Sequence, residues 1–95
     1  MDLDNVINLL KKKGFSDTFT ILLKCKSYKA ELHEFFNELN KLSNYNSFYR
    51  IKDNLLQKNL ISIKKFKVKK FIRLTYKGLN MYNKLLELNN ILAKN

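Results

Sequence analysis

Apolar residues recur every three or four positions along most of the chain, and this spacing predicts five helices. The first covers the segment DNVINLLKKKGF and is predicted to end at Gly14 as its C-cap. The second covers SDTFTILLKCKS, with Ser16 or Asp17 as its cap. The third is predicted to begin within residues 27–30 and to continue through ELHEFFNELNK. The pattern up to residue 42 therefore predicts helices and no strand.

The fourth helix is predicted after Ser43, which is its expected N-cap. Phe48, Ile51 and Leu55 form its inward stripe. Asn59 is expected to close this helix in the left-handed conformation, because asparagine is second only to glycine in that role.

The period changes from 3.6 to 2 after residue 60. Apolar and polar residues alternate in ISIK and again in FIRL, which predicts two short strands joined near residues 66–69. No Gly or Asn-Gly marks the turn, so a longer and mobile loop is expected. Thr75 is expected to cap a final helix over residues 76–93.

These elements predict a mainly α fold with a small β-hairpin. Three helices followed by a hairpin is the winged helix-turn-helix layout, here with an extra helix at each end. A chain of 95 residues, 45% of them hydrophobic, is expected to fold as one domain over residues 1–95. Its N-terminus has acids where a secretory signal would have lysines, and no apolar run reaches the about 18 residues of a membrane span. We therefore expect a soluble, cytoplasmic protein with no membrane partner.

The charge is concentrated in the second half of the chain. The net charge is +11, yet residues 1–43 hold seven basic and six acidic side chains. Residues 44–95 hold twelve basic side chains and only two acidic ones. A small protein this basic most often binds nucleic acid, so an anionic partner is expected to contact the second half.

The second half also resembles a family, the winged-helix transcriptional regulators of the MarR and PadR types and the small archaeal regulators related to them. The segment LLQKNLI, residues 55–61, is similar to the Leu-x-x-x-Gly-Leu-Ile pattern that ends their recognition helix, with Asn59 in place of the glycine. The segment LTYKG, residues 74–78, is similar to the Leu-Thr-x-x-Gly that follows their second wing strand, and Tyr49 matches a tyrosine usual in PadR-type proteins. The resemblance covers about residues 19–86 and implies a DNA-binding homodimer.

The fourth helix is the expected recognition helix. If its apolar stripe faces the core, the step of about 100° per residue puts Asn46, Arg50, Asp53 and Gln57 on the opposite side. Arginine can pair with guanine, and asparagine or glutamine with adenine, each through two hydrogen bonds. The SNYNS start offers short polar groups and free helix amides to a phosphate, although a plain solvated face with a capping cluster is the alternative. The candidate DNA-binding residues here are Ser43, Asn44, Asn46, Ser47, Tyr49, Arg50 and Asp53.

The hairpin supplies the other candidates, because ISIKKFKVKKFIRLT holds six cations and no acid. Lysine is a flexible point charge, suited to phosphates rather than to base edges. The candidates are Lys64, Lys65, Lys67, Lys69 and Lys70. The alternative is a solvated strand edge whose lysines block aggregation. Phe66, Val68 and Phe71 either pack under the wing or, for Phe66, contact the DNA, and the sequence leaves both alternatives open.

The final helix repeats large apolar residues at 4-3-4 spacing, as in a coiled-coil seam. Residues 76–93 are therefore expected to form a dimerisation helix against a two-fold mate, helped by the N-terminal helix. Leu79, Tyr82 and Leu86 are expected to pack on their own domain. The candidate dimerisation residues are Leu3, Ile7, Leu10, Met81, Leu85, Leu88 and Leu92. A terminal helix folded wholly onto its own core is the alternative.

Catalytic and metal-binding signatures are missing from the sequence, which has one histidine and one cysteine, so neither an enzyme nor a cofactor is expected. Cys25 lies between Lys24 and Lys26. It is either a redox-sensing thiol whose pKa the lysines lower, if it is exposed, or a small, partly buried thiol.

The sequence thus predicts a homodimeric transcriptional regulator that binds double-stranded DNA sequence-specifically, with the recognition helix in the major groove and the basic wing on the phosphates. Two other functions remain open: a sequence-independent architectural protein that binds DNA or RNA, and a winged-helix module for protein interactions.

Overall fold

The computed structural model describes residues 8–93, so Leu3, Ile7 and the first four residues of the predicted first helix lie outside the described residues. Residues 8–10 are helical and precede four helices and three strands. The helices are α1 (Lys13–Leu23), α2 (Leu32–Leu42), α3 (Tyr45–Gln57) and α4 (Tyr76–Ala93), and the strands are β1 (Lys29–Glu31), β2 (Ile61–Phe66) and β3 (Lys69–Leu74). The prediction of a mainly α fold with a small β-hairpin is confirmed.

The hairpin belongs to a three-stranded antiparallel sheet in the order β1-β3-β2. Strand β1 was not predicted, and the prediction that residues 27–30 open a helix is wrong. Ser27 and Tyr28 have φ of 58° and 56°, which no α-helix accepts, and they close a short 3-10 turn at Lys26–Tyr28. The chain then pairs Ala30 with Ile72 before α2 begins at Leu32.

The turn of the hairpin is tight, so the expectation of a longer, mobile loop is wrong. Phe66 pairs with Lys69, which leaves only Lys67 and Val68 between the strands. Lys67, the first of these two turn residues, takes φ of 58°, which lies in the left-handed region. Glycine usually occupies that position, and its absence is why the sequence did not signal the turn.

Gly14 is not a C-cap, because it is the second residue of α1 and is buried. The preceding turn is closed by the Lys12 amide, which donates to the Leu9 carbonyl at 3.2 Å. A Cβ on Gly14 would lie 2.7 Å from the carbonyl carbon of Ser47 in α3, a distance that real contacts do not reach. The glycine therefore permits the close approach of α1 to α3.

Neither Ser16 nor Asp17 caps α1, since that helix begins at Lys13 and has no side-chain cap. Asp17 is instead buried within α1, and Lys13 Nζ lies 3.5 Å from its Oδ2. A buried carboxylate needs such a partner to offset its desolvation.

Both ends of α3 are closed by asparagine. Asn44, rather than the predicted Ser43, is the N-cap, and its Oδ1 accepts from the Asn46 amide at 2.7 Å. At the other end Asn59 has φ of 60°, its amide donates to the Leu56 carbonyl, and the Leu60 amide donates to the Leu55 carbonyl. This pair of bonds is a Schellman motif, so the prediction for Asn59 is confirmed.

The core lies between α1, α2, α3 and the inner face of the sheet. The predicted stripe of α3 is confirmed, with Phe48, Ile51 and Leu55 at most 1% exposed. Phe35 of α2 meets the Phe48 ring edge-on, with the ring centroids 5.0 Å apart. Ile61, Ile72 and Leu74 cover this cluster from the sheet side, and all three are buried.

Thr75 caps α4 as predicted, because its Oγ1 accepts from the Gly78 amide at 2.9 Å. The first half of α4 packs on the domain, where the Tyr82 ring stacks on Phe19 with centroids 5.2 Å apart. Its second half extends from the domain, and the described residues measure 49 Å along their longest axis against 25 Å across. Residues 86–93 are all exposed.

Candidate nucleic-acid interface

Helix α3 presents a continuous polar face opposite its buried stripe. Asn46, Arg50, Asp53 and Gln57 are all exposed on this face, as the helical step predicts. Among residues 8–93, no ion pair within 4.0 Å engages Arg50 or Asp53. The guanidinium of Arg50 thus keeps its donors available for an external acceptor.

The N-terminus of α3 is less available than the sequence indicated. The Asn46 amide is occupied by the side chain of Asn44, and the Ser47 amide donates to the Asn44 carbonyl at 3.0 Å. The hydroxyl of Ser47 also donates to that carbonyl and lies 3.2 Å from the hydroxyl of Ser43. Both serines are half-buried. Ser43, Asn44 and Ser47 therefore serve mainly to start the helix, and contact between them and DNA stays a prediction.

A cluster of aromatic and basic side chains lies on the side of α3 that faces the sheet. Tyr45 and Tyr49 are half exposed and meet edge-on at 5.8 Å. Lys52 holds its ammonium 5.4 Å from the centroid of Tyr49, within cation–π range. Tyr49 was predicted as a site residue, whereas Tyr45 and Lys52 were missed. The only sign of Tyr45 and Lys52 in the sequence was their position on the helix, between the core stripe and the polar face.

The hairpin lysines are divided between the two faces of the sheet. Alternation from the buried Ile61 and Ile72 puts Lys65 and Lys70 on the inner face, which is the face that packs on the helices. The same alternation puts Lys64 and Lys69 on the outer face, and Lys67 lies in the turn. The sequence predicted one basic wing, whereas the register puts two of its lysines on each face of the sheet and one in the turn.

Of the two inner-face lysines, Lys70 lies beside α3. Lys70 and Ile63 line a narrow cleft together with Tyr49 and Lys52, so cations from the hairpin and from α3 share its rim. Lys65 pairs directly with Lys70 across the strands. Both side chains are exposed. Like charges at directly opposed positions repel each other and destabilise a hairpin. An anion bound between them would remove that repulsion.

The dimerisation candidates differ in exposure. Leu10, Leu88 and Leu92 are 43%, 52% and 75% exposed. Met81 and Leu85 pack instead against the core of their own domain. Leu86 was predicted to pack on its own domain but is exposed, so that prediction is wrong. The apolar stripe of α4 therefore begins inside the domain and continues outward, along a groove lined by Leu9, Leu10, Phe15, Met81, Lys84, Leu85 and Leu88.

Cys25 lies in a setting that opposes thiolate formation. Partial burial raises the pKa of its thiol above the ordinary value, and the nearby carboxylates of Glu34 and Glu38 raise this pKa further. The thiol donates to the Ile21 carbonyl at 3.3 Å. Of the two alternatives for Cys25, the partly buried thiol therefore fits and the thiol with a lowered pKa does not, because burial and then the two carboxylates all act to raise the pKa.

Residues 8–93 bring together no group of three His, Cys, Asp or Glu side chains that could hold a metal ion. Within the same part of the chain, every helix is too short or too polar to cross a bilayer. Comparison of the chain with family models, with curated proteins and with solved structures gave no match.

Proposed function

We propose that the chain is a winged helix-turn-helix protein that binds double-stranded DNA as a homodimer and regulates transcription. The order of three helices followed by a two-stranded hairpin supports this class, and β1 adds a third strand to the sheet. Helix α3 follows α2 after only Ser43 and Asn44, as a recognition helix follows its partner in a helix-turn-helix.

The observation that carries the proposal is the position of Lys70, which is paired with Lys65 and shares a cleft with Tyr49 and Lys52 of α3. A duplex that receives α3 in its major groove presents phosphates on both sides of that groove. The inner face of the hairpin lies next to α3, so its paired lysines approach one of these phosphate rows. The phosphates then relieve the repulsion between the two ammonium groups, which no acid in the hairpin does.

Base recognition is assigned to the exposed polar face of α3. Arg50 can donate two hydrogen bonds to guanine, and Asn46 or Gln57 can do the same with adenine. Asp53 can accept from the amino group of cytosine, whereas it repels phosphates and so favours a position over the bases. A protein with these side chains discriminates between sequences, and the lysines add affinity for any duplex.

The homodimer is supported by α4, whose apolar stripe continues beyond its own domain to Leu88 and Leu92. A two-fold mate that covers these side chains would present two copies of α3 to the same face of a duplex. The half-sites would then lie about one helical turn apart, and the binding site would be close to a palindrome.

The test is fluorescence anisotropy with two duplexes, one enriched by selection from a random library and one of random sequence, at low and at physiological salt. We expect Arg50→Ala to weaken the selected duplex by about 10- to 100-fold and to leave the random duplex nearly unchanged. We expect Lys70→Ala to weaken both duplexes alike and to lower the salt slope by about 1.

Lys24→Ala is the matched control, because it removes one exposed lysine at the end of α1 in the less basic half of the chain. It should change neither affinity. If both duplexes bind equally at physiological salt and Arg50→Ala has no selective effect, sequence-specific regulation is wrong and a sequence-independent binder takes its place. If neither duplex binds at low salt, DNA binding is wrong altogether.

A further inference from the structure

The outer face of the sheet is an aromatic and cationic surface that the proposed duplex interface does not use. Its side chains come from alternate positions of all three strands and point away from the core. Lys29, Ser62, Lys64, Phe66, Phe71 and Arg73 line one shallow depression on it. The inner face, with Lys65 and Lys70, packs against the helices on the opposite side.

The two phenylalanines of this face are placed as neighbours. Phe66 pairs with Lys69 and Phe71 pairs with Lys64, so the rings occupy diagonal positions on adjacent strands. Diagonal neighbours in an antiparallel pair are about 7–8 Å apart, close enough to act on one ligand. Phe66 is 66% exposed and Phe71 is half-buried. Neither ring belongs to the buried core of the domain.

One ammonium group lies over each ring. The ammonium of Lys29 lies 5.3 Å from the centroid of Phe71, and that of Lys67 lies 5.6 Å from the centroid of Phe66. Lys64 and Arg73 complete the rim of the depression. Glu31 is the one acid that the strands carry, and its carboxylate is already paired with Lys69 at 3.7 Å. The surface therefore complements a ligand that is both anionic and able to stack on an aromatic ring.

We propose that this outer face binds single-stranded nucleic acid, with successive bases stacked on Phe66 and Phe71 and the phosphates held by Lys29, Lys64 and Arg73. Sheets with exposed aromatic residues bind RNA by base stacking in this way, and stacking tolerates any base because every base has a π face. A duplex does not fit the same role, since its bases are already stacked on each other and are unavailable to the rings.

The two faces allow the two kinds of binding to be separated. The inner-face lysines and α3 carry the proposed duplex interface, whereas the rings lie on the other side of the same strands. The single-strand site therefore does not depend on the proposed duplex function, and each can fail without the other.

The experiment is a titration of oligo(dT) and oligo(U) of about 12 nucleotides against the full chain, followed by anisotropy. Phe66→Leu and Phe71→Leu keep an apolar side chain but remove the π face. We expect each substitution to weaken single-strand binding by about 5- to 100-fold and to leave duplex binding within about 2-fold of the parent. Arg73→Gln should lower the salt slope for single strands by about 0.7.

Val68→Ala is the control, because it truncates an exposed apolar side chain of the same hairpin that lies between the strands. It should leave both affinities unchanged. Circular dichroism of Phe71→Leu checks that loss of binding is not loss of folding, and Phe66→Leu tests the same surface at a more exposed position.

Binding of either oligonucleotide that depends on both rings supports the proposal, and the stronger of the two identifies DNA or RNA as the ligand. Unchanged single-strand affinity in both leucine variants would overturn it, because charge alone would then account for binding. Equal loss of duplex binding would also overturn it, since the rings would then belong to the duplex interface. Ring-dependent binding to anionic phospholipid vesicles without binding to single strands would replace the proposed ligand by a membrane surface.

Discussion

Thr75 joins the end of α3 to the start of α4 through a single hydroxyl. Its Oγ1 accepts from the Gly78 amide at 2.9 Å and donates to the Asn59 carbonyl at 2.6 Å. Its own amide donates to the Leu60 carbonyl at 3.1 Å. One residue thus caps a helix and anchors the left-handed residue that ends another.

Replacement of Thr75 by valine should lower the free energy of unfolding by about 1–2 kcal/mol, because valine has the same shape but neither caps α4 nor donates to Asn59. Urea denaturation followed by circular dichroism measures the change. Thr75→Ser keeps the hydroxyl and should stay within about 0.5 kcal/mol of the parent. A valine variant as stable as the parent would show that the two bonds contribute nothing net.

At the scale of elements, the position of α3 is set by its contact with α1. Gly14 faces the carbonyl of Ser47, and the absence of a side chain lets the two helix backbones approach closely. The polar face of α3 is directed outward because this contact and the stripe of Phe48, Ile51 and Leu55 hold the opposite side. The same close approach covers Ser47, which is half-buried.

Gly14→Ala should lower the free energy of unfolding by about 1–3 kcal/mol, because the added methyl group forces α1 and α3 apart. A destabilising effect of alanine would be informative, because in an unobstructed helix alanine is favoured over glycine by about 1 kcal/mol. Thermal unfolding of Gly14→Ala and of Ser16→Ala, an exposed position of the same helix, provides the comparison. A stabilised Gly14→Ala would mean that the helices do not approach as described.

At the scale of the whole molecule, the basic half and the elongated shape have a common origin in the elements after residue 44. Residues 44–95 hold twelve of the nineteen basic side chains, and α4 extends the long axis to 49 Å. Leu88, Ile91 and Leu92 are at least half exposed on that extension. A lone chain gains little from holding such residues in water, whereas a two-fold dimer would bury them.

The double substitution Leu88→Asp with Leu92→Asp should convert a dimer into a monomer, because four buried charges would face one another across the two-fold axis. Light scattering coupled to gel filtration measures the molar mass directly. Asn90→Asp, on another side of α4, adds a charge away from the stripe and should leave the dimer intact. A parent chain with the mass of a monomer, or a double variant with the mass of a dimer, contradicts the prediction.

Features that depend on near neighbours in the chain could be predicted from the sequence. The stripe of Phe48, Ile51 and Leu55, the left-handed Asn59 and the cap at Thr75 each follow from spacing or from one residue's own chemistry. The exposed face with Asn46, Arg50 and Asp53 followed from the helical step of about 100° per residue, so the part of the candidate site on α3 could be predicted from the sequence.

Only the tertiary structure decided the features that join distant segments. Strand β1 is three residues long, too short for a visible alternation, and it exists because Ala30 meets Ile72 of β3. Gly14 looked like a cap because its contact with Ser47 of α3 cannot be read from nearby sequence. In the sequence, the lysines and phenylalanines of the hairpin form one basic run. The register of the strands assigns them to opposite faces of the sheet, because a side chain's face depends on the residue opposite it.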